Sequence, residues 1–378
     1  MKLLYISNVS NGVGSFSIAS VLAAKRVGLA YHMAANFSSA SAEKIRADEE
    51  KYGIKLHQID FKRNPLDFRN VKAYRQLLKL IETEQFDYIH CNTPIGGFVG
   101  RIAGHKCRVK RIIYQVHGFH FYSGAPLHNW LLYYPIERGL AHFTDALITI
   151  NKEDFERAKR FQLRNRGNRY YVHGVGIEPS LYEPGDFKRE RKREELGLDK
   201  HDIMAISVGD LIERKNYKTS IEAIAQAKNE KIHLFICGQG PCKKRLEKIV
   251  EDLAIEKQVH FLGYRNDIME LLWASDIFLL TSYQEGLPRS LSEAMAAGLP
   301  CLVSNIRGNN DLLIHEEGGF GYDSNNVEGF AEGFIKLSND PQLRLEMGQK
   351  NKERIHEFGL ESVINSIEKI YRKEFIEI

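Results

Sequence analysis

Apolar residues in this chain fall in short β-rich runs separated by stretches of helical period, and the alternation continues from end to end. In the first half the runs are Lys2–Ile6, Tyr31–Ala35, Lys55–Gln58, Tyr88–Cys91, Arg111–Val116 and Ala146–Ile150. Helical patterns lie between them, such as Phe16–Val27, Asn70–Thr83 and Lys152–Phe161. The second half repeats the scheme with Ile203–Val208, His233–Cys237, Val259–Leu262, Ile277–Leu280 and Cys301–Val303. Strand–helix alternation of this kind predicts parallel α/β sheets, here two complete units. The charged Pro/Gly stretch from Glu183 to Glu190 reads as the linker, which sets domains at 1–182 and 183–360. A last helical segment, about Glu361–Phe375 within 361–378, has no strand partner and is free to pack on either domain, including back on the first. In such sheets ligands bind at the carboxyl ends of strands. Two facing domains would set two groups of strand-end loops across a cleft, so residues in those loops are the site candidates.

The most informative stretch is Asp276 to Pro300. An apolar strand runs into Thr281-Ser282-Tyr283-Gln284-Glu285-Gly286-Leu287-Pro288 and then a helix that Gly298 and Pro300 stop. Pro288 suits the first helical position, and the free amides at a helix start form an anion site, usually for phosphate. Glu285 lies in the loop above that site and Glu293 further into the helix, with seven residues between them. Carboxylates accept hydrogen bonds from hydroxyls. Amides for phosphate with carboxylates for hydroxyls describe a nucleotide-sugar pocket.

Other strand-end loops extend this reading. Gly209-Asp210-Leu211-Ile212-Glu213-Arg214-Lys215-Asn216 offers two adjacent cations suited to a pyrophosphate. Gly238-Gln239-Gly240 ends the next strand, and Gly263-Tyr264-Arg265 the one after, with an aromatic and backbone groups for a base. In the first half, Gly12-Val13-Gly14 allows a substrate to approach the backbone, and a tight strand–helix turn explains it equally well. It lacks the third glycine of a dinucleotide fingerprint, since Ser17 stands there, and Asn36 rather than an acid ends the second strand, which argues against NAD. His117 and His120 flank Gly118 at a strand end, where His117 reads as a hydrogen-bonding group for substrate.

Composition narrows the class. At 378 residues the chain exceeds one ordinary core, and no apolar run is long enough to span a bilayer. The start, Met1-Lys2-Leu3-Leu4-Tyr5-Ile6, reads as a strand and not as a signal peptide, so a cytoplasmic location is expected. Five scattered cysteines argue against a disulfide framework. Cys237 and Cys242 bracket a turn without companion ligands, so no metal site is expected. The net charge of +4 conceals an asymmetry: residues 1–182 carry 26 Lys/Arg against 15 Asp/Glu, a net of +11, and the remainder carries −7. One half is therefore expected to face an anionic partner. No nucleic-acid recognition motif accompanies the charge.

The second half resembles the donor domain of retaining glycosyltransferase family 4, of GT-B fold, through Val208-Gly209 with Lys215-Asn216, Gly238-Gln239-Gly240, Leu262-Gly263-Tyr264 and the block from Ser282 to Pro300. The Gly-rich loop, His117-Gly118 and His173-Gly174-Val175 match more loosely. The resemblance implies two Rossmann-like domains facing across a cleft and metal-independent transfer from a UDP-sugar with retention. The leaving phosphate would assist attack on the same face. It implies that Glu293 binds the ribose, that Glu285 binds the transferred sugar, that Gly286 and Leu287 amides touch sugar or phosphate, that Lys215 clamps the pyrophosphate and that His117 contacts the sugar. Asp210 stands where the family often has Arg, and Arg214 is the candidate to supply that charge. His173 replaces a common Asn.

The stretch His117-Gly118-Phe119-His120-Phe121 is similar to that of bacterial enzymes building capsule, exopolysaccharide or glycan precursors on a lipid-diphosphate carrier. This implies a lipid-linked saccharide as acceptor, with Gly12, Gly14 and His120 on the acceptor side. Aromatics from Phe121 to Tyr134 and clustered cations at Lys106–Arg111 and Lys159–Arg169 suit attachment to an anionic membrane's inner face. Ordinary core aromatics under a solvated basic face account for the same pattern. Rival readings are a UDP-sugar epimerase or sugar phosphorylase on a similar frame, and a non-catalytic carbohydrate- or membrane-binding protein.

Overall fold

The computed structural model describes residues 1–64 and 67–377. The chain forms two compact units: Met1–Gly176 together with the segment from Leu360 on, and Ile177–Gly359. In the first, β1 (Lys2–Val9), β2 (Ala30–Asn36), β3 (Lys55–Gln58), β4 (Tyr88–Asn92), β5 (Arg111–Val116), β6 (Ala146–Thr149) and β7 (Asn168–Tyr171) stand in the order β3-β2-β1-β4-β5-β6-β7. In the second, β8 (Ile203–Val208), β9 (Ile232–Cys237), β10 (Val259–Gly263), β11 (Ile277–Leu280), β12 (Cys301–Ser304) and β13 (Gly319–Tyr322) stand in the order β10-β9-β8-β11-β12-β13. The strand pairs are parallel throughout.

Parallel sheets need cover on both faces, so their strands read as continuous apolar runs. Successive residues of β1 show this: Leu4 and Ile6 enter one apolar cluster, and Leu3 and Tyr5 enter another. β8 does the same with Ala205 against Met204 and Ile206. Each sheet reverses its strand order beside its first strand, at β1/β4 and at β8/β11. Loops leaving two such strands diverge, and the opening between them is where α/β sheets bind ligands.

Three expectations are corrected. The division falls at Gly176 and not at 182, and the charged stretch from Glu183 to Glu190 belongs to the second unit. Trp273 Nε1 donates to the Tyr182 carbonyl at 2.7 Å, and the Phe187 and Trp273 rings lie 5.2 Å apart. Two strands, β7 and β13, were not anticipated. The sequence of β7 is Asn-Arg-Tyr-Tyr and that of β13 is Gly-Phe-Gly-Tyr, and neither forms an apolar run. Third, the helix expected to begin at Pro288 begins at Arg289, with Pro288 in an extended conformation just before it.

The helix Leu360–Tyr371 belongs to the first unit and packs on the helix Ile18–Val27. It adds Val363, Ile364 and Ile367 to that core, and Arg26 pairs with Glu361 at 2.9 Å. Tyr371 Oη meets the buried His90 Nδ1 at 2.6 Å, and Phe375 stacks on Tyr88 at 4.1 Å.

Candidate functional site

The second unit gathers its chemistry at the β8/β11 opening. After β11 the chain turns through Glu285-Gly286-Leu287 into the helix Arg289–Ala296. The first intrahelical bond there is Ser292 N–H to the Pro288 carbonyl, which leaves the amides of Arg289, Ser290 and Leu291 without helical acceptors. Glu285 is 7% exposed. Lys215 Nζ lies 2.8 Å from its Oε1, and Arg214 Nη1 lies 3.1 Å from its Oε2. Burial opposes ionisation of this carboxyl, but the Lys215 and Arg214 charges outweigh it and hold its pKa below the ordinary carboxylate value. Arg307 Nε donates to the Glu285 carbonyl at 3.1 Å. Both cations expected to serve a pyrophosphate thus converge on one carboxylate.

Local sequence explains how Lys215 and Arg214 reach that point. The loop after β8 ends in a short 3-10 turn, Glu213–Lys215, and Asn216 adopts a left-handed conformation (φ 50°) to start the next helix. The Asn216 side chain donates to the carbonyls of Thr281 (3.1 Å) and Ser324 (2.7 Å), tying this loop to the end of β11. Tyr217 Oη donates to the Gly209 carbonyl at 2.9 Å. The glycines permit close approach of two backbones: a Cβ on Gly238 would fall 1.9 Å from the Gly209 oxygen, and one on Gly240 2.4 Å from the Leu211 oxygen. Gly209 itself lies under the Lys215 side chain, whose Cε would be 3.0 Å from an added Cβ.

The remaining second-unit candidates are spread around this centre. Glu293 is bound by Arg289 of the same helix (Oε1–Nε 2.7 Å). The Tyr182 phenol, pushed up to about 12 by burial and then by the Glu293 carboxylate, belongs to the same group. Tyr264 is exposed, and Arg265 forms a two-pronged bond to Asp267 at 2.8 and 2.6 Å. Sequence reasoning missed Arg307, Gly308 and Tyr182. Gly308 has φ +80°, and a Cβ there would lie 2.4 Å from the Gly286 oxygen, so this loop braces the Glu285 turn. The only sequence signal was a glycine in a strand-end loop after β12.

In the first unit, the loop after β1 is held from below. Val13 N–H donates to Asp48 Oδ2 at 2.8 Å, Lys44 pairs with the same carboxylate, and Gly12 (φ +112°) leaves no room for a Cβ beside it. Gly14 has open space at its Cα, and its carbonyl accepts the Ser17 and Ile18 amides that start the helix. His117 follows β5. Both its ring nitrogens are shielded from solvent and, among the described residues, lack a hydrogen-bond partner, although the residue as a whole stays partly exposed. Burial lowers its pKa to about 4, so the imidazole is neutral at pH 7. The Phe16 ring meets it edge-on at 4.9 Å. His120 is exposed and stacks on Tyr133 at 4.5 Å. His117 and His120 therefore occupy different environments.

The aromatic stretch divides as well. Phe119 and Phe121 are core residues, whereas Leu127, Leu131, Leu132 and Ile136 line the outer side of the helix Leu127–Ala141. None of the described helices is long and apolar enough to cross a membrane.

Comparison with known proteins gives a consistent result. Residues 188–354 match the model for "Glycosyl transferases group 1", and residues 2–151 match "Glycosyl transferase 4-like". The chain is 33% identical over 375 residues to the putative glycosyltransferase EpsD of Bacillus subtilis, covering 98% of this chain and 96% of that one. It is 30% identical over 314 residues to the UDP-Gal:alpha-D-GlcNAc-diphosphoundecaprenol alpha-1,3-galactosyltransferase of Escherichia coli, covering 82% and 81%. Among solved structures, Anabaena HepE in complex with UDP and glucose superposes with a TM-score of 0.80 at 20% identity, covering 99% of this chain and all of that one. The lipopolysaccharide glycosyltransferase WaaG gives 0.71 at 21%, covering 98% and 99%. These last two carry the fold.

Proposed function

Because the chain belongs to the group 1 glycosyltransferases, with a family 4-like first half and the GT-B fold, we propose that it moves a hexose or N-acetylhexosamine from a UDP-sugar, with retention, to a lipid-diphosphate-linked saccharide in cell-surface polysaccharide biosynthesis. The observation that carries this reading is the Glu285 carboxylate held between Lys215 and Arg214 beside a helix start. A diphosphate entering there meets two cations and free amides, and the carboxylate it displaces from them is left to accept the sugar's hydroxyls. Arg214 supplies the charge that Asp210 does not. Glu293, oriented by Arg289, accepts the ribose hydroxyls, with Tyr264 and Arg265 at the base. The printed donor and acceptor of the Escherichia coli relative support a UDP-sugar and a lipid diphosphate here.

In this reading the acceptor hydroxyl attacks the anomeric carbon on the face from which UDP departs. The C–O bond forms as the bond to the β-phosphate oxygen breaks, and that phosphate oxygen takes the hydroxyl proton. The cations and helix amides stabilise the charge growing on the diphosphate, a task that needs no added metal. His117 offers the transferred sugar a neutral imidazole near the reacting centre. Gly12, Gly14 and His120 take the acceptor side. A basic first half and an exposed apolar helix face support peripheral attachment to the inner face of the plasma membrane.

The test is a thermal-shift panel of UDP-, GDP-, TDP- and CMP-sugars, since a ligand that binds the folded state stabilises it by mass action. Stabilisation by a UDP-sugar, followed by UDP release only when a lipid-diphosphate saccharide is added, supports the proposal. Interconversion of UDP-N-acetylhexosamines without acceptor would sink it.

A further inference from the structure

The first unit contains a cavity of about 790 Å3 that His120 helps to line and whose apolar walls none of the roles above uses. It opens between the helices Asn70–Glu84, Pro94–Lys106 and Leu127–Ala141, beside the carboxyl ends of β1 and β5. Val71, Tyr74, Phe98, Ile102 and Ile136 form its walls, and Tyr114 and Phe121 lie at its floor. A saccharide in such a space would need many hydrogen-bond partners, because each buried hydroxyl left unpaired is costly. The lining does not provide them. Glu137 is held by Arg101 at 2.9 Å, Asp67 is paired with Arg69 at 2.6 Å, and Asn70 bonds the Lys62 amide at 2.9 Å and the Asn64 carbonyl at 3.0 Å. These three polar side chains of the wall are occupied and the rest of the lining is largely apolar or aromatic, so the interior suits hydrocarbon.

Two features give the cavity a direction. At its rim Arg63 is exposed and, among the described residues, has no acidic partner. On the other side Ile136 continues into the exposed apolar stripe of Leu127 (72% exposed) and Leu131 (70%). A cation at the rim and an apolar exit on the other side match an amphiphile with an anionic head and a hydrocarbon tail.

We propose that this cavity holds the first units of the acceptor's hydrocarbon chain, with Arg63 taking its diphosphate. The inference rests on the reading of the acceptor as a lipid diphosphate and adds that the protein binds the lipid itself, not the saccharide alone. Chain length then becomes part of acceptor recognition.

The experiment titrates the full chain with farnesyl diphosphate, isopentenyl diphosphate and inorganic pyrophosphate by calorimetry. Farnesyl diphosphate is expected to bind at least about tenfold tighter than isopentenyl diphosphate, since its additional carbons leave water. Ile102→Trp, which fills the cavity, removes that advantage. Val71→Asp, at a position 53% exposed and therefore tolerant for folding, removes it as well. Arg63→Gln weakens both prenyl diphosphates and keeps their ratio. Equal affinity for the two prenyl diphosphates, or an advantage that survives both Val71→Asp and Ile102→Trp, overturns the proposal. A parallel transfer assay separates it from the acceptor reading. Farnesyl binding without transfer to any lipid diphosphate upholds the cavity and refutes the acceptor assignment. Transfer that ignores chain length does the reverse.

Discussion

Replacing Glu285 by Gln separates the two tasks assigned to its carboxylate. Glu285 pairs with Lys215 and Arg214 in the structure, and in the proposed reaction it faces the sugar. Its side chain keeps 8% of its surface and that of Lys215 keeps 11%, at a contact of 2.8 Å. Removing one partner of a fully buried pair costs about 3–5 kcal/mol. Arg214 is 40% exposed, so water takes over its charge, and the glutamine oxygen still accepts from Lys215. These two features lower the expected cost to about 2–3 kcal/mol, a fall of about 4–12 °C in the melting temperature of a unit this size. UDP affinity moves the other way. The diphosphate then meets two cations without a competing carboxylate, whose repulsion at ~5–6 Å is worth ~3 kcal/mol at an effective dielectric constant of ~20. A gain of about tenfold in UDP affinity, some 1.4 kcal/mol, is expected, together with loss of most transfer activity. Differential scanning fluorimetry, UDP calorimetry and single-turnover transfer read the three quantities. Weaker or unchanged UDP binding by Glu285→Gln would refute the claim that the carboxylate competes for the cations.

His117 gives a pH signature. Its folded-state pKa of about 4 lies below the ordinary 6.5, so between those values the unfolded chain binds a proton that the folded chain does not. Stability from this group is therefore complete above pH 6.5 and is lost as pH falls toward 4, by about 3 kcal/mol in all; denaturant melts should show His117→Phe less acid-sensitive by that amount. Gly238→Ala, which would place a Cβ 1.9 Å from the Gly209 oxygen, should force the loops after β8 and β9 apart and weaken UDP binding at least tenfold by calorimetry. Tyr371→Phe leaves the buried His90 without its 2.6 Å partner and should cost about 1–3 kcal/mol in a denaturant melt, with UDP affinity unchanged.

Much of the fold was legible because parallel strands covered on both faces are apolar from end to end. Tyr88–Cys91 and Ile277–Leu280 were readable for that reason, and the helix after Glu285 announced itself through Pro288 and Gly298, whose effects are local. Where the local signal fails, so did the reading. β13 is a strand of alternate glycines and so shows no apolar run; at Gly319 a Cβ would fall 1.9 Å from the Cys301 oxygen. Tyr182 sits in a stretch with the composition of a linker, yet it is buried beside Glu293. Arg307 reaches the Glu285 carbonyl from 22 positions downstream, a relation that only the third dimension supplies. The closeness of Arg214 and Lys215 to Glu285 was of the same kind: each residue was a candidate in the sequence, but their mutual ion pairing was not visible there.

The first unit is completed by the segment that follows the second, with the Leu360–Tyr371 helix filling a core that begins at Leu3. Synthesis on the ribosome is vectorial, and domains fold as they emerge. Here the first-made strands wait with an uncovered apolar face while the whole second unit is translated and closes ahead of them. Completion of the two units is thus expected in the reverse of their order of synthesis.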